Sequence, residues 1–123
     1  MRAPIAIALG AWAALALPVG SALADAETHE ENAAVARGQA LAERLCIRCH
    51  AIGPQGSSPF PPAPPFRVIA RRYEVSHLAE AFAEGIVVGH PAMPVFEFDP
   101  LTIGDLLAYL ESLESTADEQ TSD

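Results

Sequence analysis

Hydrophobic positions fall into one nearly unbroken run at the start of the chain and a helical rhythm near each end of the remainder, with a proline-rich stretch between them. Residues Ala3 to Val19 are apolar or small, broken by Pro4, Gly10 and Pro18; they follow a positive Met1-Arg2 start and lead into Ala22-Leu23-Ala24 ahead of Asp25. A positive start, an apolar middle and an Ala-x-Ala site are the three parts of an export signal. This predicts a signal peptide over residues 1–24, cleaved after Ala24, and a periplasmic mature protein. The rival is an uncleaved anchor, but small residues dominate the run, prolines interrupt it and a cleavage site adjoins it. No stable membrane anchor is therefore expected.

After a polar lead-in from Asp25 to Asn32, Ala34, Gly38, Leu41 and Leu45 recur at the three-and-four spacing of one helix face. That helix runs into Cys46. From Gly53 to Pro65 the prolines Pro54, Pro59, Pro61, Pro62, Pro64 and Pro65 exclude regular structure and predict a stiff, extended loop. The flanking segments are too short to be separate domains, so the loop must wrap over something rather than link. A short helix is expected from Phe66 to Tyr73 with Pro65 at its start. Another is expected from an N-cap at Ser76 through Leu78 and Phe82 towards Gly85. A breaker-bounded loop, Gly89-His90-Pro91-Ala92-Met93-Pro94, comes next. In the last helix Ile103, Leu106, Leu107, Leu110 and Leu113 form one stripe, and Thr102 with Asp105 resembles a capping box. Residues 115–123 carry no apolar pattern and read as a disordered acidic tail. The fold class is all-α, with three to five helices and no strands of consequence.

Charge narrows the partners. The 123 residues hold 16 acids against 7 basic residues, a net charge of -9, and there is no lysine. Loss of Arg2 with the signal peptide makes this about -10. Nucleic acid and anionic membrane are therefore poor partners, and none is expected. On net charge alone, a protein partner should present a cationic docking surface, with Glu97 and Asp99 near the contact. So short a mature chain forms a modest core, which a bound apolar cofactor would help to fill.

Only two cysteines are present, in Cys46-Ile47-Arg48-Cys49-His50. An exported pair can be a disulfide, half a metal site or a pair of attachment points. The full pattern is C-x-x-C-H, the attachment signature of c-type haem. Two thiols on one turn can add to the two vinyl groups of one haem edge, and the adjacent histidine then falls beneath the iron as its proximal ligand. No second cysteine pair completes a zinc site, and no βαβ pattern makes a thioredoxin fold. The cofactor-binding set is thus Cys46, Cys49 and His50, with Met93 added as the second metal ligand beside His50. Met93 is the one methionine left after signal cleavage, and Pro94 fixes the backbone beside it. A lone methionine is ordinarily core filler, and His90 is the nearest competing donor. His77, in the first turn of a helix, is the weaker one.

With Gly38 and Leu41 ahead of C-x-x-C-H, the proline-rich loop behind it, Met93-Pro94, and a last helix carrying Leu106, Leu107, Tyr109, Leu110 and Leu113, the chain resembles a class I c-type cytochrome over nearly its whole mature length. The resemblance implies a compact cytochrome c domain over residues 25–114, wrapped around one covalent haem c. It implies that the first and last helices cross at Gly38 with Tyr109 packed there, and that a carbonyl among Pro59 to Pro65 accepts a hydrogen bond from the His50 Nδ1-H. One departure is that the sole tryptophan, Trp12, lies in the signal peptide. Arg67, Arg71, Arg72 and Tyr73 are then the nearest candidate donors to the haem propionates, each equally readable as part of a solvated helix face.

With both axial positions filled, the expected function is single-electron transfer between redox proteins of a respiratory, photosynthetic or periplasmic dehydrogenase chain. The protein reads as an electron carrier rather than an enzyme, with no catalytic residues and a monomer favoured. The alternatives are a haem enzyme or gas or redox sensor with a labile Met93, and a fixed subunit of a larger oxidoreductase.

Overall fold

A computed structural model describes residues 19–85 and 92–121, with side chains over 24–85 and 92–114. Among these the architecture is all-helical. It comprises α1 (Val19–Leu45), α2 (Phe66–Arg72), a 3-10 turn (Val75–His77), α3 (Leu78–Glu84) and α4 (Pro100–Thr121). No described helix is long and apolar enough to cross a membrane.

The first and last helices form the frame. Where they cross, Gly38 has no room for a side chain: a Cβ there would lie 1.9 Å from the Asp105 carbonyl oxygen and 2.8 Å from Tyr109 Cβ. Glycine is thus required because the α4 backbone occupies the space a methyl group would take, as the resemblance implied. Beside the crossing, Arg37 clamps Asp105 through two bonds, Nε to Oδ2 at 2.8 Å and Nη2 to Oδ1 at 2.9 Å, and reaches Glu30 at 3.0 Å. Inward of it, Leu41, Ala42, Leu106, Tyr109, Leu110 and Leu113 meet Ile52, Phe66, Ala70 and Val75 in one cluster. The α4 stripe is the predicted one, with Ile103 also buried and Leu107 partly so.

Three boundaries differ from the sequence-based expectations. The backbone of α1 is already helical from Val19, so the polar lead-in is part of the helix, although residues 24–32 are exposed. Alanine and glutamate propagate a helix cheaply once its packed half has nucleated it. Likewise α4 continues to Thr121, past the end of its apolar stripe and through most of the expected tail. At the start of α4, the capping pair is not Thr102 with Asp105. Asp99 is the cap: its Oδ1 accepts the backbone N-H of Leu101 at 3.0 Å and of Thr102 at 3.1 Å, and the Thr102 hydroxyl donates to Oδ2. Pro100 follows as the first helical residue, where its missing N-H costs nothing. Asp105 is instead committed to Arg37.

The short helices follow the expected plan with one exception. Pro65 precedes α2 with φ -58° and ψ 146°, and its carbonyl accepts from Val68 at 2.9 Å and Ile69 at 3.1 Å. Ser76 lies within the 3-10 turn and caps nothing, so α3 begins at Leu78. Gly85 ends α3 at φ +88°, with Val95 Cγ1 2.9 Å from where a Cβ would stand.

Candidate functional site

The site grows out of the end of α1. Ala42 is fully buried, and its carbonyl receives both Cys46 N-H (2.8 Å) and Ile47 N-H (3.1 Å) as the helix tightens. One further turn closes when Cys49 N-H and His50 N-H both reach the Cys46 carbonyl, at 3.0 and 2.9 Å. The two cysteines therefore lie on one turn of chain, not joined in a disulfide and both half-buried. Burial pushes the Cys46 thiol up to about 11, and the neighbouring Cys49 adds to this. A C-x-x-C pair built for disulfide exchange has a thiol pushed the other way. The environment of Cys46 thus holds a protonated thiol in an apolar setting.

His50 is 9 % exposed. Its Nδ1 lies 2.7 Å from the carbonyl oxygen of Pro64. A carbonyl only accepts, so Nδ1 carries the proton, which in the neutral ring leaves the Nε2 lone pair for a metal; this is how a neighbouring acceptor orients a ligating histidine. The sequence left the acceptor open among Pro59 to Pro65, and the structure selects Pro64. Its carbonyl is the last one before α2 begins to use them: the helix takes the Pro65 carbonyl, not that of Pro64. The Phe66 ring lies 5.4 Å from the imidazole.

The proline-rich loop is braced at four points around that bond. Phe60 N-H donates to the Cys49 carbonyl at 3.2 Å, Ala51 N-H to Ser58 Oγ at 3.1 Å, and Phe66 N-H to the Ala51 carbonyl at 2.9 Å. Arg67 Nη2 donates to the Gly56 carbonyl at 2.8 Å. Prolines supply stiffness here but no donors, so the donors come from the residues between and beyond them. The role of Ser58 was not foreseen; a hydroxyl seven residues beyond Ala51 gives no signal in sequence. From the other side, the Tyr109 hydroxyl donates to the Ile52 carbonyl at 2.8 Å, tying α4 to the strand of chain that leaves His50.

Cys46, Cys49, His50 and the loop are thus gathered in one place. Met93 is half-buried in a separate segment anchored on α3, where Phe98 N-H donates to the Phe82 carbonyl at 3.0 Å and the two rings lie 5.7 Å apart. Phe96 stacks on Phe98 at 5.6 Å. His77 is exposed in the 3-10 turn, and His90 lies outside the described residues. Among the four candidate propionate donors, Arg71, Arg72 and Tyr73 line a cleft with Glu111 and Glu114, poor company for another carboxylate. Arg67 alone of the four keeps a buried donor, Nη1, without a partner among the described residues.

The donor set fits a covalently attached haem: two thiols on one turn, an imidazole with its far nitrogen free, and an apolar wall of Phe66 and Ile52. Among the described residues, no group of three or more His, Cys, Asp and Glu side chains is arranged to hold a metal ion by itself.

The comparisons with known proteins agree with this geometry. The family model described as Cytochrome c matches residues 35–114. A relative, cytochrome c-552 of Bradyrhizobium diazoefficiens, is 32% identical over 92 residues, which cover 75% of this chain and 86% of the relative. No solved structure matches. The match spans the attachment turn, the proline-rich loop, Met93 and the packed part of α4, so the chain belongs to the cytochrome c family and its cofactor is a covalent haem c.

Proposed function

We propose that the chain is an exported, periplasmic monohaem carrier of single electrons, with His50 and Met93 as the two axial ligands of the iron. The observation that carries the reading is the 2.7 Å bond from His50 Nδ1-H to the Pro64 carbonyl, on the turn that presents both cysteines. It fixes the imidazole plane and directs Nε2 away from the loop, so the ligand needs no rearrangement when the metal changes oxidation state. Haem c supplies the one-electron couple when bound. The chain's own residues would hold the ring and limit water around it, while the attachment turn stays partly exposed. Phe66 and the buried Ile52, Leu106 and Leu110 provide the apolar surroundings.

For the second ligand, the support is chemical and positional. Met93 is a soft thioether, held half-buried by a segment that Phe98 fastens to α3. A His/Met pair favours the reduced iron relative to two histidines. Filling both positions leaves no site for a substrate, which supports a carrier over an enzyme. Export rests on residues 1–24, of which 1–18 lie outside the described residues; Ala24 sits in the exposed first part of α1, and cleavage there would leave a helix starting at Asp25.

The test is Met93→Ala in the exported holoprotein. Haem should stay attached, the sulfur-to-iron absorption band should vanish, and carbon monoxide binding absent from the wild type should appear. A band that survives in Met93→Ala and disappears in His90→Ala would transfer the ligand role to His90. Carbon monoxide or peroxide binding by the wild type would favour a sensor or enzyme.

A further inference from the structure

Resting on the reading of Met93 as the sulfur ligand, we propose that Phe96 and Phe98 are positioning residues for it. With Phe82 they form an aromatic ladder that fastens the Met93 segment to α3 and sets how readily an outside ligand displaces the thioether. By its own chemistry Met93 is poorly fixed, because its unbranched side chain has three rotatable bonds. Its chain neighbours Ala92 and Pro94 are both exposed, so neither packs it in place. The sulfur must be placed by contacts further along the segment.

The fastening begins where α3 ends. The last four carbonyls of a helix have no partner within it. α3 stops at Glu84, and the Phe82 carbonyl, one of these, accepts the Phe98 N-H at 3.0 Å. Nearer to Met93, Val95 returns alongside Gly85, its Cγ1 2.9 Å from where a Cβ would stand. Phe82 with Phe98 and Gly85 with Val95 are pairings that run in opposite senses along the chain, so the segment doubles back antiparallel to the end of α3. Met93 lies just beyond the outer contact.

A single hydrogen bond in competition with water holds such a segment weakly. The rings supply the rest. Phe96 stacks on Phe98 with centroids 5.6 Å apart and 12° between the planes, and Phe98 lies 5.7 Å from Phe82 at 40°. At both separations aromatic pairs attract beyond the area they bury. Phe82 and Phe98 also pack on the core cluster, so the ladder runs from the core through Phe98 out to Phe96, close to Met93 in the chain. An outside ligand can bind only the fraction of molecules whose thioether has withdrawn, and its apparent affinity scales with that fraction. Each ring contact stabilises the fastened arrangement and not the withdrawn one, so losing a ring enlarges the fraction. Imidazole then takes the place of the thioether, lone pair for lone pair, with no change of oxidation state.

The experiment titrates the oxidised holoprotein with imidazole and follows loss of the sulfur-to-iron absorption band. Phe98→Leu removes both ring contacts but keeps an apolar side chain and the backbone bond, and should bind imidazole about tenfold more tightly than the wild type. Phe96→Leu removes one contact and should bind it about threefold more tightly; it carries the test if Phe98→Leu fails to load haem. Phe96→Tyr keeps the ring and should titrate as the wild type does. Ala70→Gly, within α2, loosens the fold away from the segment and should leave imidazole binding unchanged, which separates a local role from a general loss of stability. Affinities in Phe96→Leu and Phe98→Leu equal to that of the wild type, or an equal gain in Ala70→Gly, would overturn the ladder's role while Met93 remains the ligand. A band that survives in Met93→Ala would instead sink the ligand reading, and the ladder's role with it.

Discussion

At the scale of single residues, the site depends on groups that act through backbone carbonyls, and these were only partly legible. Cys46, Cys49 and His50 announce themselves because the chemistry demands fixed spacing. The Pro64 acceptor does not, since any of several loop carbonyls could serve until the start of α2 is known. Tyr109 was expected at the helix crossing, but its bond to the Ile52 carbonyl was not, because the partners lie 57 residues apart. That bond gives a direct prediction. Tyr109→Phe leaves a buried carbonyl without its donor and should lower the unfolding free energy of the holoprotein by about 1 kcal/mol, read from urea titrations. Burial, with Glu43 adding, raises the Tyr109 phenol above its ordinary 10.0. A phenol that releases its proton more readily when unfolded stabilises the fold below pH 10.0 and ceases to do so as pH climbs through the raised value. The difference between wild type and Tyr109→Phe should therefore shrink on the alkaline side, and a difference that grew there would contradict the role given to the hydroxyl.

At the scale of elements, hydrophobic periodicity located the first and last helices and breaker or capping residues the short ones between, while several ends were set by chemistry that neither signal sees. The apolar stripe of α4 was read correctly, yet its cap was misplaced by three residues. Thr102 and Asp105 match a capping box in spacing, but Asp99 followed by Pro100 is the better start, and Asp105 is drawn away by Arg37 from another helix. Residues 25–32 were read as a polar lead-in ahead of the first helix and residues 115–123 as a disordered tail, because neither has an apolar face. Both are helical extensions of segments whose packing is established elsewhere. The Asp99 cap can be tested by pH. The Thr102 hydroxyl first, and then the backbone N-H groups, hold the Asp99 carboxyl below its ordinary 3.8. A lowered value means that the stabilising contribution is present above 3.8 and is lost as pH falls through the folded-state value. Asp99→Asn should accordingly lower the thermal midpoint at neutral pH, with the gap closing in acid. A gap of equal size at pH 7 and pH 2 would show that the charge is not what caps the helix.

At the scale of the whole molecule, the sequence reads as one domain organised about a cofactor, and the family model described as Cytochrome c covers residues 35–114. Charge is segregated along the chain, with all 16 acids outside the segment from Arg44 to Tyr73. Folding turns that linear segregation into a surface by laying the Cys46–His50 turn beside Phe60 and the loop. On the proposed reading, the cofactor joins two separate parts of the chain: Cys46, Cys49 and His50, held by α1 and the loop, and Met93, in the segment that Phe98 fastens to α3. The central claim is that one haem, covalently attached and ligated by nitrogen and sulfur, bridges them. Its most direct test is the absorption spectrum of the exported protein, taken native in both oxidation states and again after denaturation in acidified organic solvent. The account predicts a sulfur-to-iron band in the oxidised native protein and haem that remains with the polypeptide after extraction; haem lost to the solvent, or a native spectrum without that band, would contradict it.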